Sequence, residues 1–167
     1  MAESMAAKMS SQTSNETFPY NTPPWRRSYR AMSPDGTTVA AIDEAFEHSM
    51  SNPTVGTLRT SDGMELLQCS PAFVWSDDSR FLAVPKWCRR FGAFLRQRLA
   101  IIDFVERAVF VSRFTHWLLL PTAFEGGKLE VLVSNPCGIS WPWRDRPLTI
   151  AVPPDLATFT RLDGAYR

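Results

Sequence analysis

The chain repeats itself at a spacing of 43 residues. Shifted by that distance, Ala31, Met32, Ser33 and Asp35 fall on Val74, Trp75, Ser76 and Asp78. Val39 and Ala41 fall on Leu82 and Val84, Leu58 on Ile101, Leu66 on Val109, and Leu67 on Phe110. The register holds without a gap across some forty residues. A unit of this length that recurs must bury its apolar face against its own neighbour, which restricts the chain to stacked or repeated architectures.

Each unit divides into two hairpins. In the first unit "SYRAMS" and "TTVAAIDEAF" flank Ser33-Pro34-Asp35-Gly36, where Pro presets φ and Gly accepts a positive one. "TVGTLRT" and "MELLQCS" then flank Ser61-Asp62-Gly63. The second unit repeats the plan around Asp77-Asp78-Ser79 and Val105-Glu106. A degenerate third unit places "HWLLLPTAF" and "KLEVLVSN" about Glu125-Gly126-Gly127, and "LTIAV" and "LATFTRL" about Pro153-Pro154-Asp155. The spacing predicts twelve antiparallel strands in three sets of four, over 28–70, 71–113 and 114–162. Helical periodicity is nearly absent. The one stretch long enough, Lys86 to Arg98, lacks it and reads as an inter-strand loop.

Four strands per unit at a period of about 40–45 residues is the pattern of propeller blades. "SPDGTTVAAI" and "AFVWSDDSRFLAV" resemble the blades of TolB-like and tryptophan-aspartate-repeat β-propellers, in which a "WSPDG" turn joins two strands. The resemblance covers 28–113 well and 114–162 poorly, and it implies a fold and no particular activity. The expected class is therefore all-β, with blade-like sheets arranged as part of a propeller or as a curled open sheet. An ordinary β-sandwich is the alternative. Three units fall short of the four to eight blades that close a ring. The chain can dimerise into a six-bladed ring, curl on itself, or cap its open face with Trp25, Trp141 and Trp143.

Hydrophobic residues make up 44% of the 167, which is the composition of a globular domain. One domain is expected over 25–167, preceded by a tail, 1–24, rich in Ser, Thr, Met and Asn and ended by Pro23-Pro24. With 18 basic and 17 acidic residues the net charge is +1, which disfavours nucleic acid as a partner. No apolar run is long enough for a secretory signal or a membrane span, so a cytoplasmic location is expected. Cys69, Cys88 and Cys137, odd in number and widely spaced, read as thiols and not as a disulfide framework.

Catalytic patterns are sparse. His48 and His116 lack the short spacing of metal ligands, and no Gly-x-Ser-x-Gly elbow or phosphate-binding glycine loop occurs. Cys137 has no base nearby in sequence. Asp77 and Asp78, which could pass for a carboxylate pair, occupy the turn slots of Pro34 and Asp35. No catalytic residue, cofactor or metal site is assigned.

Two segments stand apart. "PKWCRRFGAFLRQR" interleaves Lys86, Arg89, Arg90, Arg96 and Arg98 with Trp87, Phe91 and Phe94, where the first unit has the acidic "EAFEHSMSNP". "WPWRDRP" sets Trp141 and Trp143 around a proline. Arginine with aromatics is the composition of protein-interface hot spots. The reading is a non-enzymatic module that binds a protein through Lys86, Trp87, Arg89, Arg90, Phe91, Arg96, Arg98, Trp141 and Trp143, as an adaptor, regulator or toxin-immunity-like protein. A homodimer is compatible with it. The alternative is a ligand-binding or hydrolytic protein that uses a propeller-like central channel.

Overall fold

The computed structural model describes residues 25–47, 53–90, 94–135, 144–153, 157–162 and 164. Among them lie twelve strands and no helix. The strands are β1 (Tyr29–Met32), β2 (Val39–Glu47), β3 (Thr54–Thr60), β4 (Glu65–Cys69), β5 (Val74–Trp75) and β6 (Phe81–Arg90). They continue with β7 (Phe94–Asp103), β8 (Ala108–Ser112), β9 (Leu118–Glu125), β10 (Lys128–Asn135), β11 (Arg144–Ala151) and β12 (Phe159–Leu162). The tail 1–24, His48, Phe91, Cys137, Trp141 and Trp143, and the side chains of Arg90 and Phe94, lie outside the described residues.

Every pairing is antiparallel. A nine-stranded sheet runs β1-β2-β3-β4-β6-β7-β8-β12, with β5 on β6, and a separate sheet runs β11-β10-β9. The sheets do not close into a barrel. β4 meets β6 only where Cys69 faces Lys86, so the long sheet folds over at that seam.

The two turns predicted as equivalent carry the same hydrogen bonds. Ser33 Oγ donates to Asp35 Oδ1 at 2.6 Å, and Ser76 Oγ to Asp78 Oδ1 at 2.6 Å. The amides of Thr37 and Arg80 donate to those same carboxylates at 3.0 Å. The amides of Thr38 and Phe81 donate to the serine hydroxyls at 3.0 and 2.8 Å. Positive φ falls on Gly36 (75°) and on its counterpart Ser79 (62°). This network is why "WSDDS" needs its serine and its second acid.

Its first acid does something else. Asp77 Oδ2 accepts from the amide of Gly126 at 3.0 Å, and the Asp77 amide donates to Phe124 O at 3.0 Å. On the other side, the Asp35 amide donates to Ser79 Oγ at 2.9 Å. The turns of successive units are thus tied in series. Trp75 adds a further tie, its Nε1 donating to Ala31 O at 3.3 Å.

Two apolar layers alternate with the sheets. The first joins Ala40, Ile42, Leu58 and Leu66 to Leu82, Val84, Ala100 and Ile102. The second joins Phe81, Ala83, Leu99 and Ile101 to Leu119, Phe124, Leu129 and Val131. The strand pair β6–β7 is therefore covered on both faces, and "FLAV" and "LAII" are apolar without alternation for that reason.

Four expectations are corrected. Alternation predicts Val39 and Ala41 on one buried face with Leu82 and Val84, but Val39 and Ala41 are only half-buried, and their neighbours Ala40 and Ile42 are fully buried. Val39 and Ala41 do match Leu82 and Val84, but the face they share meets a preceding unit only in the second unit. Lys86–Arg98 is not a loop: except for 91–93 it continues β6 and β7 in one register from Phe81↔Asp103 to Arg90↔Phe94. The strand expected at Leu148 begins at Arg144. Finally, β11 and β12 do not pair. β11 completes the small sheet on β10, while β12 returns to β8 in the large one.

Candidate functional site

The basic segment is positioned by the longest hairpin of the fold. β6 and β7 have ten residues each, whereas β8 pairs with β7 only at Ala100–Asp103 and β4 reaches β6 only at Lys86. The cations begin at the last of those contacts, Lys86, and continue along the arm beyond it. Lys86 stands directly across from Arg98, and Cys88 across from Arg96. Residues that oppose one another share a face, so Lys86, Arg96 and Arg98 form one basic surface. Arg89 is exposed and belongs to the opposite face, with Leu95 and the buried Trp87.

Like charges directly opposite each other destabilise a sheet. Here the cost is only partly relieved. Lys86 Nζ donates to Leu67 O. Among the described residues neither Lys86 nor Arg98 is paired with a carboxylate. Arg98 Nε is buried and has no hydrogen-bond partner.

Arg96 is held differently. Its Nη1 donates to Leu95 O at 3.0 Å, and its guanidinium lies 3.1 Å from the centre of the Trp117 ring. Trp117 belongs to the link between β8 and β9. That link is fastened to the arm by reciprocal backbone bonds between Gln97 and His116 at 2.7 and 2.8 Å. Gln97 is fully buried, and its Oε1 accepts from the Leu119 amide at 2.6 Å. Trp117 and the neighbouring Phe114 keep 40% and 62% of their surface exposed, and sequence reading missed both as surface aromatics. The available signal was two aromatics in "RFTHW" ahead of an apolar run, which reads as the start of a strand.

Trp87 is 6% exposed and donates from Nε1 to Thr54 O at 3.2 Å. It packs the seam and offers no surface to a partner. A cavity of about 50 Å³ beside it is lined by Val55, Gln68, Trp87, Cys88, Arg89 and Leu95. An open depression of about 930 Å³ lies against β2, with Asp43, Glu44 and Glu47 along it. Asp43 is committed there to Arg30 at 3.3 Å.

The remaining reactive side chains are quiet. Burial pushes the Cys69 thiol up to about 12, so it stays protonated. Burial also lowers the pKa of His116, keeping its imidazole neutral near pH 7. Among the described residues no three His, Cys, Asp or Glu side chains converge as metal ligands. No described helix is long and apolar enough to cross a membrane.

No family model and no curated protein matches the chain. Among solved structures, the tricorn protease, a β-propeller-containing protein, superposes with a TM-score of 0.52 at 15% identity. The fold is propeller-like. The match covers 74% of this chain but only 13% of the tricorn protease, and at that identity it shows the fold alone.

Proposed function

We propose that this chain is a non-enzymatic protein-binding module that works in the cytoplasm and engages its partner through the β6–β7 arm. The observation that carries the reading is the cross-strand Lys86–Arg98 pair, flanked by the Trp117-stacked Arg96, at the base of an arm that extends past its neighbouring strands. A sheet gains nothing for its own stability by opposing two cations. Arginine fixed on an aromatic is a rigid, partly desolvated anchor of the kind that dominates interfaces. The blades are of the TolB-like or tryptophan-aspartate-repeat type, on the strength of the matched Ser-x-Asp turns. Adaptor, regulator and toxin-immunity roles all fit this chemistry.

The test is a comparison of the wild type with a Lys86→Glu/Arg98→Glu variant shown by circular dichroism to be folded. Proteins captured by the wild type alone are purified and titrated back. A 1:1 complex lost in the variant supports the reading. A reconstituted complex of unchanged affinity, or the absence of any complex that reconstitutes, overturns it.

A further inference from the structure

We infer that the basic face of the arm is a seat for carboxylates, and that its ligand is an acidic segment of a protein. This deepens the proposed function and rests on it. Arg80, Lys86, Arg89, Arg90, Arg96 and Arg98 are six of the chain's 18 cations, and the run 79–102 that holds them contains no acid. On the described surface of the arm, Lys86, Arg96 and Arg98 share one face. The rest of the chain has 12 basic against 17 acidic residues, so this charge is concentrated and not part of a general basic field.

Two local costs mark this cross-strand pair. Lys86 and Arg98 oppose each other without a carboxylate between them, and Arg98 Nε is buried without an acceptor. A buried donor that lacks a partner carries its full desolvation penalty. One carboxylate placed between Lys86 and Arg98 relieves the first cost by separating the two positive charges.

Nucleic acid fits less well. A single-stranded binder needs open aromatic faces on which bases stack. The ring of Trp117 has a guanidinium 3.1 Å from its centre on one side. Among the described residues, the outward face of the first unit pairs Arg30 with Asp43 and Arg59 with Glu65, and that of the small sheet carries Lys128 and Glu130, so the charge around the arm is mixed and forms no basic track.

The probe is a synthetic ten-residue peptide of alternating Glu and Ser, titrated into the full chain at low salt with tryptophan fluorescence as the readout. A ten-nucleotide oligothymidylate and a Gln-for-Glu peptide are titrated in parallel. The acidic peptide should bind, weaken as salt rises, and lose about tenfold in affinity with either Lys86→Gln or Arg98→Gln. The neutral peptide should not bind. Arg98→Met should raise the melting temperature while abolishing peptide binding, a pairing that a merely structural arginine does not give. Unchanged affinity in Lys86→Gln, failure of the acidic peptide to bind, or tighter binding of oligothymidylate each overturns the carboxylate seat. A natural partner that needs the arm but presents no acid there sinks this inference and leaves the proposed function standing. Peptide binding without any protein partner does the reverse.

Discussion

At the residue scale, Gly56 leaves the least room for a side chain among the described glycines. A Cβ built there meets Ile42 Cγ2 at 2.6 Å and Ala45 Cβ at 3.1 Å, because β2 shifts register between Asp43 and Phe46 and presses onto β3. Gly56→Ala is expected to cost about 1–3 kcal/mol in urea unfolding, the usual range for overpacking. Asp35 gives a pH test. Hydrogen bonds from Ser33 and then Thr37 hold its carboxyl below the usual aspartate range. A depressed folded-state pKa contributes stability above the unfolded value and loses it as pH falls through the folded one. Asp35→Asn should therefore flatten the acid side of the stability profile, while leaving the slope above pH 7 unchanged. Sequence alone had placed the Ser33–Asp35 and Ser76–Asp78 turns, since these bonds are local. It gave no hint of Gly56, whose constraint comes from a strand fourteen residues away.

At the scale of elements, the repeat exposes which faces are shared. Leu82 is fully buried between the first and second units, and Leu82→Ala should cost on the order of 2–5 kcal/mol. Val39 occupies the matching position of the first unit but is only half-buried, so Val39→Ala should cost below about 1 kcal/mol. Similar losses at both sites would mean that the two layers are not arranged as described. Asp103 anchors the second unit's other hairpin. It is 2% exposed, receives Arg80 through three bonds of 2.8–3.2 Å, and accepts from the amides of Val105 and Glu106 at 3.0 and 3.1 Å. Asp103→Ala is expected to lose about 2–3 kcal/mol, less than a fully buried pair because Arg80 is partly solvated. The hairpin arm was misread from sequence because alternating cations and aromatics do not look like a strand. Its register is imposed from Phe81 and Asp103 inward, by the buried part of the same two strands.

At the scale of the molecule, the question is what the two outer faces of the described stack present. In a closed propeller the face of the first unit opposite the core would receive another blade. Here a row of cross-strand neighbours occupies that face: Arg30, Ala41, Arg59 and Glu65, in that order across β1 to β4. Arg30 also meets Asp43 at 3.3 Å, and Arg59 meets Glu65 at 3.5 Å. At the other end, Lys128 and Glu130 point away from the core of the small sheet. A repeat stack is soluble only if its terminal faces are polar, and these two faces meet that condition. The third unit's weak sequence match has a related cause: its fourth strand, β12, extends the sheet of the second unit instead of its own. A six-bladed ring made by two copies would have to desolvate the charged row, whose pairs are exposed and each contribute about 1 kcal/mol at most. Sedimentation equilibrium of the 167-residue chain should accordingly give a monomer of 18.9 kDa. Replacing Arg30, Asp43, Arg59 and Glu65 together by Leu should convert it to a dimer or larger species at micromolar concentration. A wild type that sediments as a dimer, and stays one when the row is made uniformly acidic, would show that the ends of the stack are closed by some other surface.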